Sequence, residues 1–424
     1  MKMSQEEEEE PGSPGARLMQ APGFNLCILA VLGYTTTIDI DLFKRELKRT
    51  LVKHPRVSSL MIVKNEKRGT FSWKRTKVDL DKHVIVPDLD PDMDNPDEFV
   101  DDYISNLSKN HLSHEKPLWE VHILNVKNSD ANSHVIFKID HSIGDGVSLI
   151  SMVLACATKN SDPKSLPTIA TSKKRERDNI IVKYGLIKNT KTEITAGRGV
   201  ELSPKRFVRR IISLDDVKLV KNAMNVTIND VVLGVTEAGL SRYLSTTYEK
   251  NNENGVEIIK KRTNPLPRNL RFRSACVFNL RPCAKLEDLA EMMENEKLLK
   301  EIWGNVIGIV VLPLTIVLRD DPLIHIRRAK ATMDQKKLSN VVGPQEEINL
   351  FGHPLGYIAP SVFGFPQGLF VHYQSYADRL VIAIGADEEL IPNPHQLCDD
   401  MVTSFENIKD AVIKKGFVKG SKSC

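Results

Sequence analysis

Short apolar blocks separated by polar turns run through the first third of the chain. FNLCILAVLGYTTTIDI (24–40) opens apolar and turns polar, which predicts a buried strand and its exit. DLFKRELKRTLVKHP (41–55) places Leu42, Phe43, Leu47 and Leu51 at helical spacing and stops before further extended sequence, so a helix is predicted there. VSSLMIV (57–63) and GTFSWKRT (69–76) read as strands. NPDEFVDDYISNLSKN (95–110) repeats Phe99, Tyr103 and Leu107 four apart, with acidic residues early, as the N-terminus of a helix prefers. PLWEVHILNV (117–126) and SHVIFKIDHS (133–142) are two predicted strands joined by an Asn/Ser/Asp turn, and VSLISMVLACAT (147–158) is the helix that follows.

The pattern then breaks. Residues 159–204 are polar, basic and weakly periodic, and they read as a surface crossover linker. Order resumes with KRFVRRIISL (205–214) and a helix at DDVKLVKNAM (215–224). TINDVVLGVTEAGLSRYL (227–244) gathers Val231, Val232, Val235, Ala238, Leu240 and Leu244 near one face, with Thr227 or Asn229 as the cap. Strands are predicted at 274–282 and within VIGIVVLPLTIVL (306–318), a helix at 320–338, a hairpin at 369–387, and an amphipathic helix at 394–416 closed by Gly416. The fold class is therefore α/β (α+β), mixed in both halves. A length of 424 residues suits two domains. The expected division is an acidic disordered tail (1–14), a first domain (15–158), the linker (159–204) and a second domain (205–424).

Composition narrows the classes. The chain is 41% hydrophobic and 27% charged, ordinary for a globular protein with a real core. A net charge of +4 at this length, without zinc-finger spacing or an RNA-binding motif, gives no reason to expect nucleic acid. The six cysteines are scattered, which fits free thiols in a reducing compartment and no metal site. The N-terminus, MKMSQEEEEEPGSPGAR, is neither a secretory signal nor a transit peptide. The longest apolar run, 306–318, is interrupted by Pro313 and is shorter than the ~20 residues a membrane helix needs, so it is expected to form one or two buried strands.

Chemistry concentrates in VIFKIDHSIGDG (135–146). His141 stands where a strand ends, and Asp145-Gly146 follows four residues later. A histidine can take a proton from a hydroxyl near neutral pH, and a strand end can project it into a cleft. Asp145 can hold the loop through a backbone group or an arginine, and Gly146 can let the chain turn. Alone, the HxxxD spacing more often marks an exposed histidine and a helix-capping aspartate.

The wider context resembles the wax ester synthase/diacylglycerol acyltransferase branch of the CoA-dependent acyltransferases, in its plant form. VIFKIDHSIGDGVSLISMVLA resembles that branch's HHxxxDG segment, and KPLWEVHIL (116–124) its PLW segment. TINDVVLGVTEAGLSRYL resembles its ND motif, and FNLRP (278–282), WGNVIGIVVLPL (303–314) and SNVVGPQEEINLFGHP (339–354) its C-terminal blocks. The resemblance implies two chloramphenicol-acetyltransferase-like domains with the active-site channel between them. It implies that His141 is the general base, with Asp145 and Gly146 shaping its loop. The substrates would be a fatty acyl-CoA and a long-chain alcohol or diacylglycerol, with no metal or other cofactor. Asn229 and Asp230 match the ND motif and are expected to support the cleft, and Asn279 is a guess for the oxyanion stabiliser. The family also implies a membrane surface as partner, at the endoplasmic reticulum on the cytosolic side, with the plasma membrane as the alternative. The basic clusters at 173–177 and 205–210 read as solvated surface, or as sites for CoA phosphates or anionic lipid.

Three departures from the family pattern stand out. Asp140 replaces the first histidine, and strand alternation should turn it away from His141. The region near 177–195 is short and polar, where plant relatives carry an apolar stretch. The junction at 338–340 is also short, as though an element of the second domain were missing. These departures keep open a catalytically dead scaffold on the same fold; a superfamily acyltransferase with a smaller acceptor is the other rival, and the lack of a DFGWG-like segment counts against it.

Overall fold

The computed structural model describes residues 9–21, 26–90, 93–167, 203–254, 272–279, 303–336, 343–365 and 367–416, with positions 200, 266, 267 and 270 between them. The strands are β1 (Glu10–Pro11), β2 (Cys27–Tyr34), β3 (Ser59–Asn65), β4 (Thr70–Arg75), β5 (Val84–Ile85), β6 (Trp119–Leu124), β7 (Ser133–Asp140), β8 (Ala157–Lys159), β9 (Lys205–Ser213), β10 (Phe272–Asn279), β11 (Ile307–Leu314), β12 (Ile348–Leu350), β13 (His353–Phe363), β14 (Leu369–Tyr376) and β15 (Arg379–Asp387). The helices are α1 (Pro14–Met19), α2 (Ile40–Arg49), α3 (Pro96–Leu107), α4 (Gly146–Ala155), α5 (Leu214–Met224), α6 (Ile228–Asn254), α7 (Leu323–Lys336) and α8 (Pro394–Lys414).

A seven-stranded sheet, ordered β5–β6–β7–β2–β13–β12–β8, carries the first half. Every residue of β7 is buried, so the strand has core on both faces. Its polar side chains are matched: Lys138 Nζ donates to the Asn110 carbonyl at 2.6 Å, and His134 Nδ1 meets the Tyr357 hydroxyl at 3.1 Å. β2 pairs with β7 along its full length, from Cys27 opposite Asp140 to Tyr34 opposite Ser133. Its other edge pairs with β13, which comes from the far end of the sequence. Residues 348–363 thus sit in the first half's sheet, and the division at Pro204 does not separate the strands cleanly.

β13 was not expected as a strand. Pro354, Gly356 and Pro360 lie within it, a composition that argues against a central strand. The structure accommodates them because β12 pairs only with His353 and Pro354 on that side, and a register shift falls between Leu355 and Tyr357. The helix predicted over 147–158 is shorter: it ends at Ala155, and Ala157–Lys159 form β8, which pairs with β12.

The second half builds its core on a three-stranded antiparallel sheet, β14–β15–β9. Val208, Ile382 and Ile384 pack in one cluster with Val231, Val235, Leu397, Met401 and Phe405 of α6 and α8. α6 reaches Asn254, ten residues beyond the predicted stretch. β10 and β11 form a separate two-stranded ribbon. Residues 307–311 of β11 are half-buried, not the fully buried strand expected from their apolar run.

The basic cluster at 205–210 is neither solvated surface nor an anion site. Lys205 and Arg209 are buried on β9 and paired, Lys205 with Asp387 at 3.1 Å and Arg209 with Asp101 at 2.7 Å and Asp130 at 3.4 Å. Arg209 also lies over the Tyr357 ring, 5.5 Å from its centroid, and so joins β9 to α3 and β13 across the two halves. Arg206 and Arg210 pair with Asp102 and Asp399. Residues 173–177, 177–195 and 338–340 lie outside the described residues.

The N-terminal segment is ordered from Glu9, although its composition predicts disorder through Pro14. Glu10 pairs with Arg56, and Glu9 binds Ser72 Oγ at 2.6 Å and Lys64 at 2.8 Å, so the acidic run finds cations and donors on β3, β4 and the turn before them.

Candidate active site

β7 ends at Asp140, and the next residue, His141, is 7% exposed. Its backbone N–H donates to the Leu26 carbonyl at 2.9 Å, which ties the strand exit to the start of β2. Asp145 then caps α4: its Oδ1 accepts from Ser148 N–H at 2.9 Å. Such a cap typically contributes ~1 kcal/mol. Its second oxygen, Oδ2, accepts from the backbone N–H of Val306 at 2.9 Å. Asp145 therefore holds backbone groups on both sides.

Val306 belongs to the segment Trp303–Val306, which enters β11 from the second half. Asn305 Oδ1 meets His141 Nδ1 at 2.8 Å, and Asn305 Nδ2 donates to the His141 carbonyl at 2.9 Å. The second bond fixes the amide's orientation, so its oxygen faces the ring and accepts from Nδ1–H. Nε2 is left with the lone pair, and no partner for it is recorded among the described residues. Burial lowers the pKa of His141 from its ordinary value and outweighs the opposing pull of Asn305, Asp145 and Asp140. The ring is neutral near pH 7, in the tautomer a base needs.

The flanking residues lock the same segment. Ser148 Oγ donates to the Gly304 carbonyl at 3.1 Å, and Trp303 Nε1 donates to the Ile143 carbonyl at 2.7 Å. Trp303 also lies on His54, ring centroids 4.1 Å apart. Gly304 has φ +118°, a conformation L side chains rarely adopt, so the turn that aims Asn305 depends on glycine.

Gly146 does not carry the turn assigned to it. Its φ is not positive, and a Cβ there would meet nothing within 4 Å. Asp140 is buried, with Oδ1 accepting from Ser142 N–H at 2.8 Å, from Ser142 Oγ, and from Gln20 Nε2 at 2.9 Å. No hydrogen bond joins it to His141. Burial raises its pKa, which weakens any anion beside the base.

The other expected site residues stand on α6 and β10. Asp230 closes the first turn of α6 by accepting from Thr227 N–H at 2.7 Å, while Thr227 Oγ1 accepts from Asp230 N–H at 3.2 Å. This is a reciprocal cap. Asn229, half-buried beside it, has no recorded bond to the His141 loop. Asn279 ends β10 opposite Ile307, two positions along from Asn305, but its side chain is not among those described.

Comparison with known proteins places this geometry. The model of the wax ester synthase/diacylglycerol acyltransferase catalytic domain matches residues 28–212, and that of the C-terminal domain matches 303–339 and 338–409. Wax ester synthase/diacylglycerol acyltransferase 11 of Arabidopsis thaliana is 43% identical, covering 96% of this chain and 96% of its own length. The chain belongs to the wax ester synthase/diacylglycerol acyltransferase family. A second relative from the same plant, wax ester synthase/diacylglycerol acyltransferase 2, is 38% identical over 97% of each chain. Among solved structures, the wax ester synthase/diacylglycerol acyltransferase from Marinobacter aquaeolei VT8 matches with a TM-score of 0.62 at 14% identity, over 95% of this chain and 99% of that one. The first condensation domain of the CDA synthetase matches at 0.53 and 10% identity, over 96% and 94%. These matches show the fold, two chloramphenicol-acetyltransferase-like halves. One of the two junctions shows in these matches. The alignment to the first relative spans 479 positions against the 424 residues of this chain, and the C-terminal model matches in two pieces that meet at residues 338–339.

Proposed function

We propose that the protein is an acyl-CoA-dependent O-acyltransferase that moves a fatty acyl group onto a long-chain alcohol or diacylglycerol. The observation that carries the mechanism is the paired bond of Asn305 to His141, which leaves Nε2 unprotonated and free to act. Nε2 takes the hydroxyl proton of the acceptor as its oxygen attacks the thioester carbon. The tetrahedral intermediate collapses, the C–S bond breaks, and the imidazolium returns its proton to the CoA thiolate. The products are the ester and CoA-SH. Asn305 Oδ1 supports the charge on the ring between these transfers. No acyl-enzyme forms, because the base activates the acceptor itself.

Asp145 keeps the His141 loop and the Asn305 segment in one unit. Asp230 acts at a distance, by fixing the start of α6. The acceptors are lipids, so the protein works at a membrane surface, and we place it peripherally on the cytosolic side of the endoplasmic reticulum. No described helix is long and apolar enough to cross a membrane.

The test offers palmitoyl-CoA with hexadecanol or diacylglycerol to the purified protein and to His141→Ala. Ester made by the parent and lost in the variant supports the reading, and the preferred acceptor ranks the two activities. A folded parent that makes no ester from either acceptor supports the scaffold reading instead.

A further inference from the structure

The N-terminal segment reaches further than the tail its composition suggests. β1 pairs with β4, Gly12 N–H donates to the Phe71 carbonyl at 2.9 Å, and Ser13 caps α1. Arg17 Nε returns to the Gly12 carbonyl at 2.8 Å, which closes the segment on itself. Two contacts then point at the active site. Gly15 lies directly on Asn305: a Cβ there would stand 2.6 Å from the Asn305 carbonyl oxygen and 2.8 Å from its Cβ. Gln20 Nε2 holds Asp140, the residue before His141, at 2.9 Å.

The position of Gly15 is informative because it costs stability. Glycine within a helix is less favourable than alanine by up to ~1 kcal/mol. Here the backbone of α1 must approach Asn305 more closely than any side chain permits. On the opposite side, Asn305 is held by His141 and, through Val306, by Asp145. The segment 303–306 is therefore gripped between the His141 loop and the N-terminal strap.

We propose that residues 12–20 form a positioning strap for the catalytic base, with Gly15 and Gln20 as its positioning residues. Gly15 sets the depth of Asn305 and so the tautomer of His141. Gln20 anchors the exit of β7 from which His141 projects. The inference rests on His141 as the base, and its readouts separate the two claims.

The test compares the full-length parent, Gly15→Ala and Gln20→Ala. It measures kcat and KM for palmitoyl-CoA and hexadecanol, and records the ring-nitrogen NMR shifts of His141 in histidine-labelled protein without substrate. Gly15→Ala is expected to lose kcat by about 100-fold, the scale of a misplacement near 1 Å, with KM within about twofold. Its His141 signal should lose the Nδ1–H signature. Gln20→Ala should lose roughly 10-fold in kcat, again with KM kept. A mere cover over the core would leave kcat and the signature unchanged in both variants, whatever happened to their stability, and that result overturns the proposal. If Gly15→Ala does not fold, Gln20→Ala decides: kcat kept with an unaltered signature overturns the strap. Activity retained in His141→Ala would remove the base assignment, whereas the tautomer signature reads the strap without any turnover.

Discussion

The two halves of the molecule solve the same packing problem unequally. The first half is built on a seven-stranded sheet, completed by β12 and β13 from the end of the sequence and flanked by the small sheet β1–β4–β3, and its catalytic strand is buried along its whole length. The second half divides its strands among the described residues between a three-stranded sheet and a separate ribbon. Its β11 and β14 stay half-buried over most of their length. The base therefore stands on the deeply packed half, and the residue that sets its tautomer comes from the thinner one. Chemistry and vulnerability are thus located apart. The second half can be weakened without touching the base, and the base can be removed without unfolding either half.

The sharpest division should come from His141→Ala. Loss of a general base costs about 100- to 10,000-fold in kcat, with unchanged cooperative unfolding. A variant that kept its rate would end the assignment of chemistry to the first half. Asn305→Ala comes next, at about 100-fold in kcat, because the ring loses its fixed tautomer. Full activity in this variant would show that the second half does not instruct the base.

Asp387→Ala attacks the second half alone. It leaves the buried Lys205 ammonium with only the neutral Val200 carbonyl and Ser203 hydroxyl as partners, and breaking such a buried pair costs about 3–5 kcal/mol. Turnover should survive at low temperature and vanish early on heating; a melting curve like the parent's would contradict this. The smallest effect expected is from Glu237→Gln on α6. Burial raises the Glu237 pKa from 4.5 to about 7, although Thr315 N–H, donating at 2.7 Å, opposes it. The folded state thus binds a proton that the unfolded state has released, and stability is lost as pH rises from 4.5 through about 7. The variant should gain a few degrees in Tm, roughly, at pH 8 and less at pH 5. An equal offset at both pH values would refute the assignment.

Both halves share a response of opposite sign. Burial lowers the pKa of His54 to about 3, and those of His325 and His372 to about 4. These rings are neutral when folded and become protonated first in the unfolded chain, so stability falls as pH drops below about 6.5. Thermal unfolding across pH 4 to 7 measures this, and a flat profile would count against it.

Much of this arrangement could be read before the structure was seen, and the exceptions have physical causes. β7, α4 and the loop between them are local: an apolar run, a cap residue and a helix, each readable from its neighbours. His141 and Asp145 were legible for that reason. Asn305 was not, because a polar residue before an apolar strand has no distinctive local signal, and its partner lies far away in sequence. Asn279, across the same ribbon, is expected in a different role, as oxyanion stabiliser, and its side chain lies outside those described. The ordered strap from Glu9 was hidden by composition, since its acidic residues are neutralised by Arg56 and Lys64, which only the fold brings near. β13 was hidden by its prolines: Pro360 lies where β2 is the only strand alongside, and Pro354 lies at the strand's end beside the short β12.

That last strand has a consequence for how the protein is made. β2 is among the first elements to leave the ribosome, while β13, the strand that covers its open edge, is among the last. Throughout most of synthesis the nascent chain must carry an unfinished sheet edge with apolar faces, the kind of surface that chaperones bind and that associates wrongly when crowded. A fragment ending before residue 348 should therefore fail to form the catalytic half at all. The histidine near the end of the first domain becomes an active-site residue only once almost the whole message has been translated.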